Sequence, residues 1–303
     1  MTKPRFDCLN TNTKTEKPAV MPRRLNRNLP ADIRRTLFEA GQSAHFMVAG
    51  LSLAPHWIAG TGRNMCVGST PQCRAACNLW WSGRCVTEPV RNAMIRRTKE
   101  LVADPLFFRK RIEFDIRRLI LEAEAVSAIP VLRPHMASDH LPELLDWLAI
   151  LREFEGSKLI AYDYTKRLDF VLRDDLPANY WLTYSRSERS TDRQLQSVFA
   201  AGRNVAAVFD VPYHASGAHK FVGELPRRWN GRRVIDGDIH DLRFLDPAGC
   251  FVGLRLKGTN ASKAEARIAA NGQPFGIDVG NIRAFSELAP YWVENGFRLK
   301  SAV

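Results

Sequence analysis

Four of the chain's six cysteines are crowded between Met65 and Cys85, and no other feature limits the fold as strongly. Cys66, Cys73 and Cys77 have the spacing C-x6-C-x3-C, and Cys85 comes after seven more residues. Gly62, Gly68, Ser69, Thr70, Pro71 and Gly83 give the stretch the composition of turn and loop. Close thiols on a loop suit a soft metal ion or an iron–sulfur cluster, because deprotonated sulfur is the preferred ligand of both. The rest of the chain then has to be a scaffold that holds this loop.

Six cysteines in 303 residues are too sparse for a disulfide framework, and their crowding argues against long-range staples. Cys8 and Cys250 lie far from the loop, and Cys250, in AGCFVGLRL, reads as a buried strand residue. No run approaches the roughly 18 apolar residues that span a bilayer. The opening MTKPRFDCLNTNTKTEKPAVMPRR lacks the apolar core of a secretory signal. A cytoplasmic protein without a membrane partner is expected. The net charge of +12 and the isoelectric point near 9.7 favour polyanionic partners, nucleic acid above all, or a nucleotide-like ligand.

Residues 1–28 are polar and basic, with Arg23, Arg24 and Arg27 near their end, and read as a flexible arm. Residues 29–303 read as one α/β domain carrying the cysteine loop, 62–85. A short helix from Pro30 stops at Gly41, and an apolar strand comes next over Phe46–Leu53. A helical stretch from Glu88 to Ala125 breaks at Asp104-Pro105, where proline starts a new helix. Strands are expected over Ile129–Leu132, Leu159–Tyr164, Tyr180–Tyr184 and Asn204–Phe209. Helices are expected over Pro142–Phe154, Leu168–Arg173 and Asp192–Ala201. Near-continuous apolar strands alternating with helices predict a parallel sheet covered by helices, a full or partial (β/α) barrel. The last third is less regular. It has two strands, around Gly231–Asp238 and Cys250–Gly258, with a turn at Asp246-Pro-Ala-Gly, then a helix over Ala261–Ala270 in a small irregular C-terminal part.

In such folds chemistry sits at the carboxyl ends of the strands, and the polar clusters fall there. The cysteine loop comes after the first strand, Arg133-Pro-His-Met-Ala-Ser-Asp139-His140 after the second, Tyr164-Thr-Lys166-Arg after the third and Ser185-Arg-Ser-Glu-Arg after the fourth. Arg133, Asp139, Lys166 and Ser185 are the candidate ligand-binding residues. His135 and His140 have the chemistry of metal ligands or bases, and equally that of ordinary loop histidines. Asp139 suits a ribose hydroxyl or, more simply, a cap for the helix near Pro142. Lys166 and Lys257 suit a carboxylate or phosphate. Asp236, Asp238 and Asp241 resemble an oxygen-rich metal site, but they lack EF-hand spacing and its closing glutamate and read better as a turn.

Structural zinc takes four ligands in tetrahedral geometry. Cys66, Cys73, Cys77 and Cys85 would complete such a set. A [4Fe–4S] cluster on three cysteines instead leaves one iron open. The order Cys66-x6-Cys73-x3-Cys77, then Arg91-Asn92, Arg133-Pro-His-Met-Ala-Ser-Asp139, Trp147 and Tyr164-Thr165-Lys166 resembles the gene product 88 family of phage and prophage proteins. It is also similar to phage three-Cys-motif proteins, remote relatives of radical S-adenosylmethionine (SAM) enzymes. The resemblance runs from about Leu51 to Leu254. It implies a [4Fe–4S] cluster on Cys66, Cys73 and Cys77 in a partial barrel, SAM on the open iron, and action on nucleic acid or a nucleotide. The C-x3-C-x2-C spacing usual in radical SAM enzymes is absent here, and Arg133–Asp139 stands where a Gly-Gly-Glu sequence would be. The alternative is a plasmid or phage DNA- or RNA-binding protein with a structural metal at the cysteine loop.

Overall fold

The apolar runs of the sequence become the strands of one sheet. The computed structural model describes residues 6–11, 25–41, 44–77, 79–81, 83–140, 142–211, 213–216, 219–257, 269–270, 273–274 and 276–277. Strands are β1 Asn10–Thr11, β2 Phe46–Gly50, β3 Ile129–Arg133, β4 Ile160–Thr165, β5 Tyr180–Ser185, β6 Asn204–Phe209, β7 Tyr213–Ser216, β8 His219–Val222, β9 Arg228–Trp229, β10 Arg232–Asp236, β11 Phe251–Arg255, β12 Ala269–Ala270, β13 Gln273–Pro274 and β14 Gly276–Ile277. Helices are α1 Ala31–Ala40, α2 Pro71–Ala75, α3 Glu88–Ala103, α4 Pro105–Ala125, α5 Trp147–Arg152, α6 Leu168–Val171 and α7 Asp192–Ala200.

The main sheet is 10-stranded, in the order β1-β2-β3-β4-β5-β6-β11-β10-β9, with β14 also pairing β6. From β2 through β6, β11 and β10 the neighbours are parallel, as expected. The sheet is open. A short antiparallel strand lies on each flank of the parallel set, β1 on β2 and β9 on β10, so the closed form of the expected barrel is not made by the described strands. Covering a parallel edge with a short antiparallel strand is one way a sheet limits its exposed edges.

Alternation along the strands divides the core in two. On one face Leu132, Ala161, Leu182, Val205 and Phe251 pack with Ile112 and Ile116 of α4, Leu148 of α5 and Val198 of α7. On the other, Phe46, Val131, Ile160, Tyr162 and Trp181 pack with Ile33 and Leu37 of α1 and with Leu242 and Phe244. Each fully buried apolar side chain of this size contributes about 1.5–3 kcal/mol.

The break between α3 and α4 falls at Asp104, which ends one helix and caps the next by accepting the Phe107 N–H, with Pro105 in the first turn. The helix expected over Pro142–Phe154 shortens to α5, because Asp146 caps at the Ala149 N–H. Of the expected helix over Ala261–Ala270, residues 261–268 lie outside the described residues, and Ala269–Ala270 form β12. No helix among the described residues is long and apolar enough to cross a membrane.

Residues 6–11, inside the expected arm, dock on the core. The buried Asp115 carboxylate of α4 accepts the N–H groups of Asp7, Cys8 and Leu9 at 3.0, 2.7 and 3.0 Å, which delivers Asn10–Thr11 to the edge of β2. Asp115→Ala strands these donors. Charge-assisted bonds are worth about 1.5–3 kcal/mol each, and relaxation recovers part of the loss. The expected net cost is about 3 kcal/mol, read as a lower urea midpoint at unchanged slope.

Candidate functional site

The cysteine loop is laid across the carboxyl ends of the parallel strands by contacts that begin where β2 ends. A Cβ on Gly50 would sit 2.6 Å from the Arg133 carbonyl oxygen, so glycine lets the chain run close beside the segment leaving β3. There Leu51 N–H donates to Arg133 O and Met136 N–H to Leu51 O. Further on, Cys66 and Asp139 form an isolated parallel bridge. Asp139 N–H donates to Met65 O at 2.7 Å, and Val67 N–H to Asp139 O at 3.1 Å. Gly68 lies over Lys166, whose Cβ would be 2.8 Å from a Cβ placed there. Thr70 caps α2 by accepting the Cys73 N–H, and its hydroxyl donates to Glu188 Oε2 at 2.7 Å. Cys73 and Ala76 then pack against Val208 and Leu256. The loop therefore touches the segments that leave β3, β4 and β5 in turn, and reaches β6.

Cys66, Cys73 and Cys77 are within electrostatic reach of one another. Burial pushes the Cys66 thiol well up, the His56 N–H at its sulfur pulls it back, and Cys77, Asp139 and Cys73 raise it further. Burial likewise lifts Cys77 to about 11; the N–H groups of Trp80 and Leu79 at its sulfur and the charge of Lys166 oppose this. Backbone N–H groups aimed at sulfur favour the thiolate, the form that binds metals. Cys85 stands in other company. Burial raises it, and the charge acting against that is Arg91, which stacks over Trp80 and Trp81 and donates to the Cys85 carbonyl. Among the described residues no three His, Cys, Asp or Glu side chains are grouped so as to hold a metal ion.

Three of the four expected ligand-binding residues join this loop. The buried Asp139 carboxylate accepts the Thr165 hydroxyl at 3.0 Å and the Lys166 N–H at 2.9 Å. It therefore does not cap a helix. Burial raises its pKa above the usual carboxylate range, partly offset by His135 and these donors. Lys166 Nζ donates to Ser185 Oγ at 2.7 Å. Arg133 goes elsewhere: it pairs with Asp241 at 2.6 Å, and Asp241 also accepts the Tyr162 and Tyr164 hydroxyls at 3.1 and 3.2 Å. Burial alone would raise Asp241, but Arg133 and Arg243 hold it below the usual range. Asp236 and Asp238 are taken by Arg255, and Asp238 also by Lys257, so the acidic trio is an ion-pair network split from Asp241. His135 and His140 meet edge to face, ring centroids 4.7 Å apart.

Glu188, Thr70 and Asp163 carry weight that sequence reasoning does not single out. Glu188 is visible in the sequence only as one charge in Ser185-Arg-Ser-Glu-Arg, and nothing local marks it as the anchor of α2.

The model of the gene product 88 family matches residues 10–272, most of the chain, and the chain belongs to that family. No curated protein and no solved structure matches the chain.

In metal-free protein the Cys77 thiol should alkylate slowly at neutral pH, its rate rising with pH through about 11. Lys166→Met removes a cation that favours the thiolate and should shift that profile upward. Site-resolved mass spectrometry after iodoacetamide measures both. An ordinary thiol profile that is indifferent to residue 166 would contradict the geometry.

Proposed function

We propose, from membership in the gene product 88 family, that the protein is an iron–sulfur protein resembling radical SAM enzymes and acts on nucleic acid or a nucleotide. Cys66, Cys73 and Cys77 would hold a [4Fe–4S] cluster. The observation that carries this reading is the mutual reach of these three thiols on a loop laid over the ends of parallel strands, with backbone N–H groups at two of the sulfurs. The open sheet with its parallel strands is in keeping with a partial barrel.

When bound, such a cluster supplies redox chemistry and, at an iron without a protein thiolate, a position for SAM. The chain's own residues position and compensate. Lys166 offsets thiolate charge at Cys77, and Asp139 pins the segment carrying Cys66. Glu188 fixes α2 through Thr70, and its Oε1 is buried with no hydrogen-bond partner among the described residues, an acceptor suited to the amino group of SAM. The net charge of +12 supports a polyanionic substrate.

One observation favours a second reading, a DNA- or RNA-binding protein with structural zinc: Cys77 and Cys85 pack against the same apolar cluster, around Trp80. Anaerobic purification with iron, sulfide and zinc analysis separates the two. The first reading expects a brown protein whose visible absorbance is lost in Cys66→Ala, Cys73→Ala and Cys77→Ala and kept in Cys85→Ala. A colourless protein with stoichiometric zinc, released by Cys85→Ala, would sink it. Under either reading, nucleic-acid affinity should fall linearly with salt on logarithmic axes.

A further inference from the structure

Below the cysteine loop, on the strand face that carries Asp163 and Thr165, lies a second polar centre that the cluster reading does not use. The Asp163 carboxylate is fully buried. It accepts the backbone N–H of His135 at 2.9 Å, lies 3.1 Å from His135 Nδ1 and accepts the Tyr180 hydroxyl at 2.9 Å. An ionised carboxylate only accepts, so Nδ1 carries the proton and the ring is fixed in tautomer and direction. The other nitrogen, Nε2, is buried and has no hydrogen-bond partner among the described residues, in a side chain only 4% exposed. A polar atom in that position is costly unless something binds it.

His135 lines a pocket of about 40 Å³ together with His140, Trp147, Arg167, Phe170 and Arg173. That is room for a few heavy atoms. The wall is positive. Its one carboxylate, Asp146, is turned to the backbone as the cap of α5. Arg167 pairs with Asp169, whose side chain is 74% exposed, and Arg173 with the half-exposed Asp175. A pair whose carboxylate is as exposed as Asp169 is weak, and a better-placed anion can replace it at Arg167, whereas Asp175 holds Arg173 through two hydrogen bonds at 2.7 and 2.6 Å.

We propose that His135 and Arg167 form a binding site for a phosphate group, the terminal phosphate of a nucleotide or nucleic acid, or free phosphate. Phosphate fits where a plain hydrogen-bond acceptor would not. It donates to Nε2 of a neutral imidazole in its monoanionic form and accepts from an imidazolium in its dianionic form, while Arg167 offers a planar fork to its oxygens. The site stands independently of any cluster, because none of these residues is a candidate cluster ligand.

Inorganic phosphate and adenosine 5′-monophosphate, titrated separately into the full chain, test this by imidazole ¹⁵N resonances and calorimetry. The expected result is saturable binding that moves the His135 Nε2 resonance and weakens at least tenfold in His135→Gln and in Arg167→Gln. Arg96→Gln, on the exposed side of α3, should leave it unchanged. The Arg167 side chain is 15% exposed and stacks on Phe170, so the urea midpoint of each variant is read beside its binding, and a retained midpoint shows that lost binding is not lost fold. Tighter binding of the nucleotide than of inorganic phosphate identifies a terminal phosphate as the source, and the reverse identifies free phosphate. Absence of saturable binding, or binding that both variants leave intact, overturns the proposal. Phosphate binding by a protein that proves colourless and zinc-loaded would defeat the cluster reading alone and leave this site standing.

Discussion

The hydrogen-bonded bridge between Cys66 and Asp139 is the contact on which the cysteine site depends. Two backbone bonds tie Met65 and Val67 to Asp139, and the Asp139 side chain in turn accepts from Thr165 and Lys166 at the end of β4. A buried carboxylate is costly to desolvate unless its lone pairs are filled. Here they are filled by groups fixed to a central strand, so one residue couples a turn-rich loop to the stiffest part of the molecule. Gly68 over Lys166 and Thr70 on Glu188 extend the same attachment along the sheet edge.

Two polar centres share this end of the sheet because strand residues alternate in direction. Tyr162 and Tyr164 of β4 face the side where Asp241 pairs with Arg133, while Asp163 and Thr165 face the side of His135 and Asp139. The cost of burying so many polar groups is met by mutual satisfaction: Arg133 by Asp241, His135 by Asp163, Asp139 by Thr165. Several buried polar atoms nevertheless have no hydrogen-bond partner among the described residues, and His135 Nε2 and Glu188 Oε1 are two of them.

Much of the architecture was legible in the chain. The strand over Asn204–Phe209 and the helix break at Asp104-Pro105 arise from local signals, an all-apolar run and a proline in a first helical turn. The crossing of the cysteine loop over the strand ends was legible as an ordering of motifs. Less legible was the fate of each polar side chain. Arg133 and Asp139 sit in one heptapeptide, yet Arg133 turns to Asp241, distant in sequence, while Asp139 joins the cysteines. The cap of α5 is Asp146 rather than Asp139, because nearby residues of equal capping chemistry compete and only the packed chain selects one.

By itself the sequence determined a parallel, helix-covered sheet with a thiol-rich loop after its first long strand, because hydrophobic period, proline and glycine act locally. It also determined the family. Tertiary structure alone decided that the sheet stays open, since that depends on which short strands reach its edges. It alone decided, too, that Cys66, Cys73 and Cys77 stand apart from Cys85 in their electrostatic surroundings. Spacing along a loop limits how far apart thiols can be, but burial, N–H direction and neighbouring charge set what each can do, and those belong to the fold.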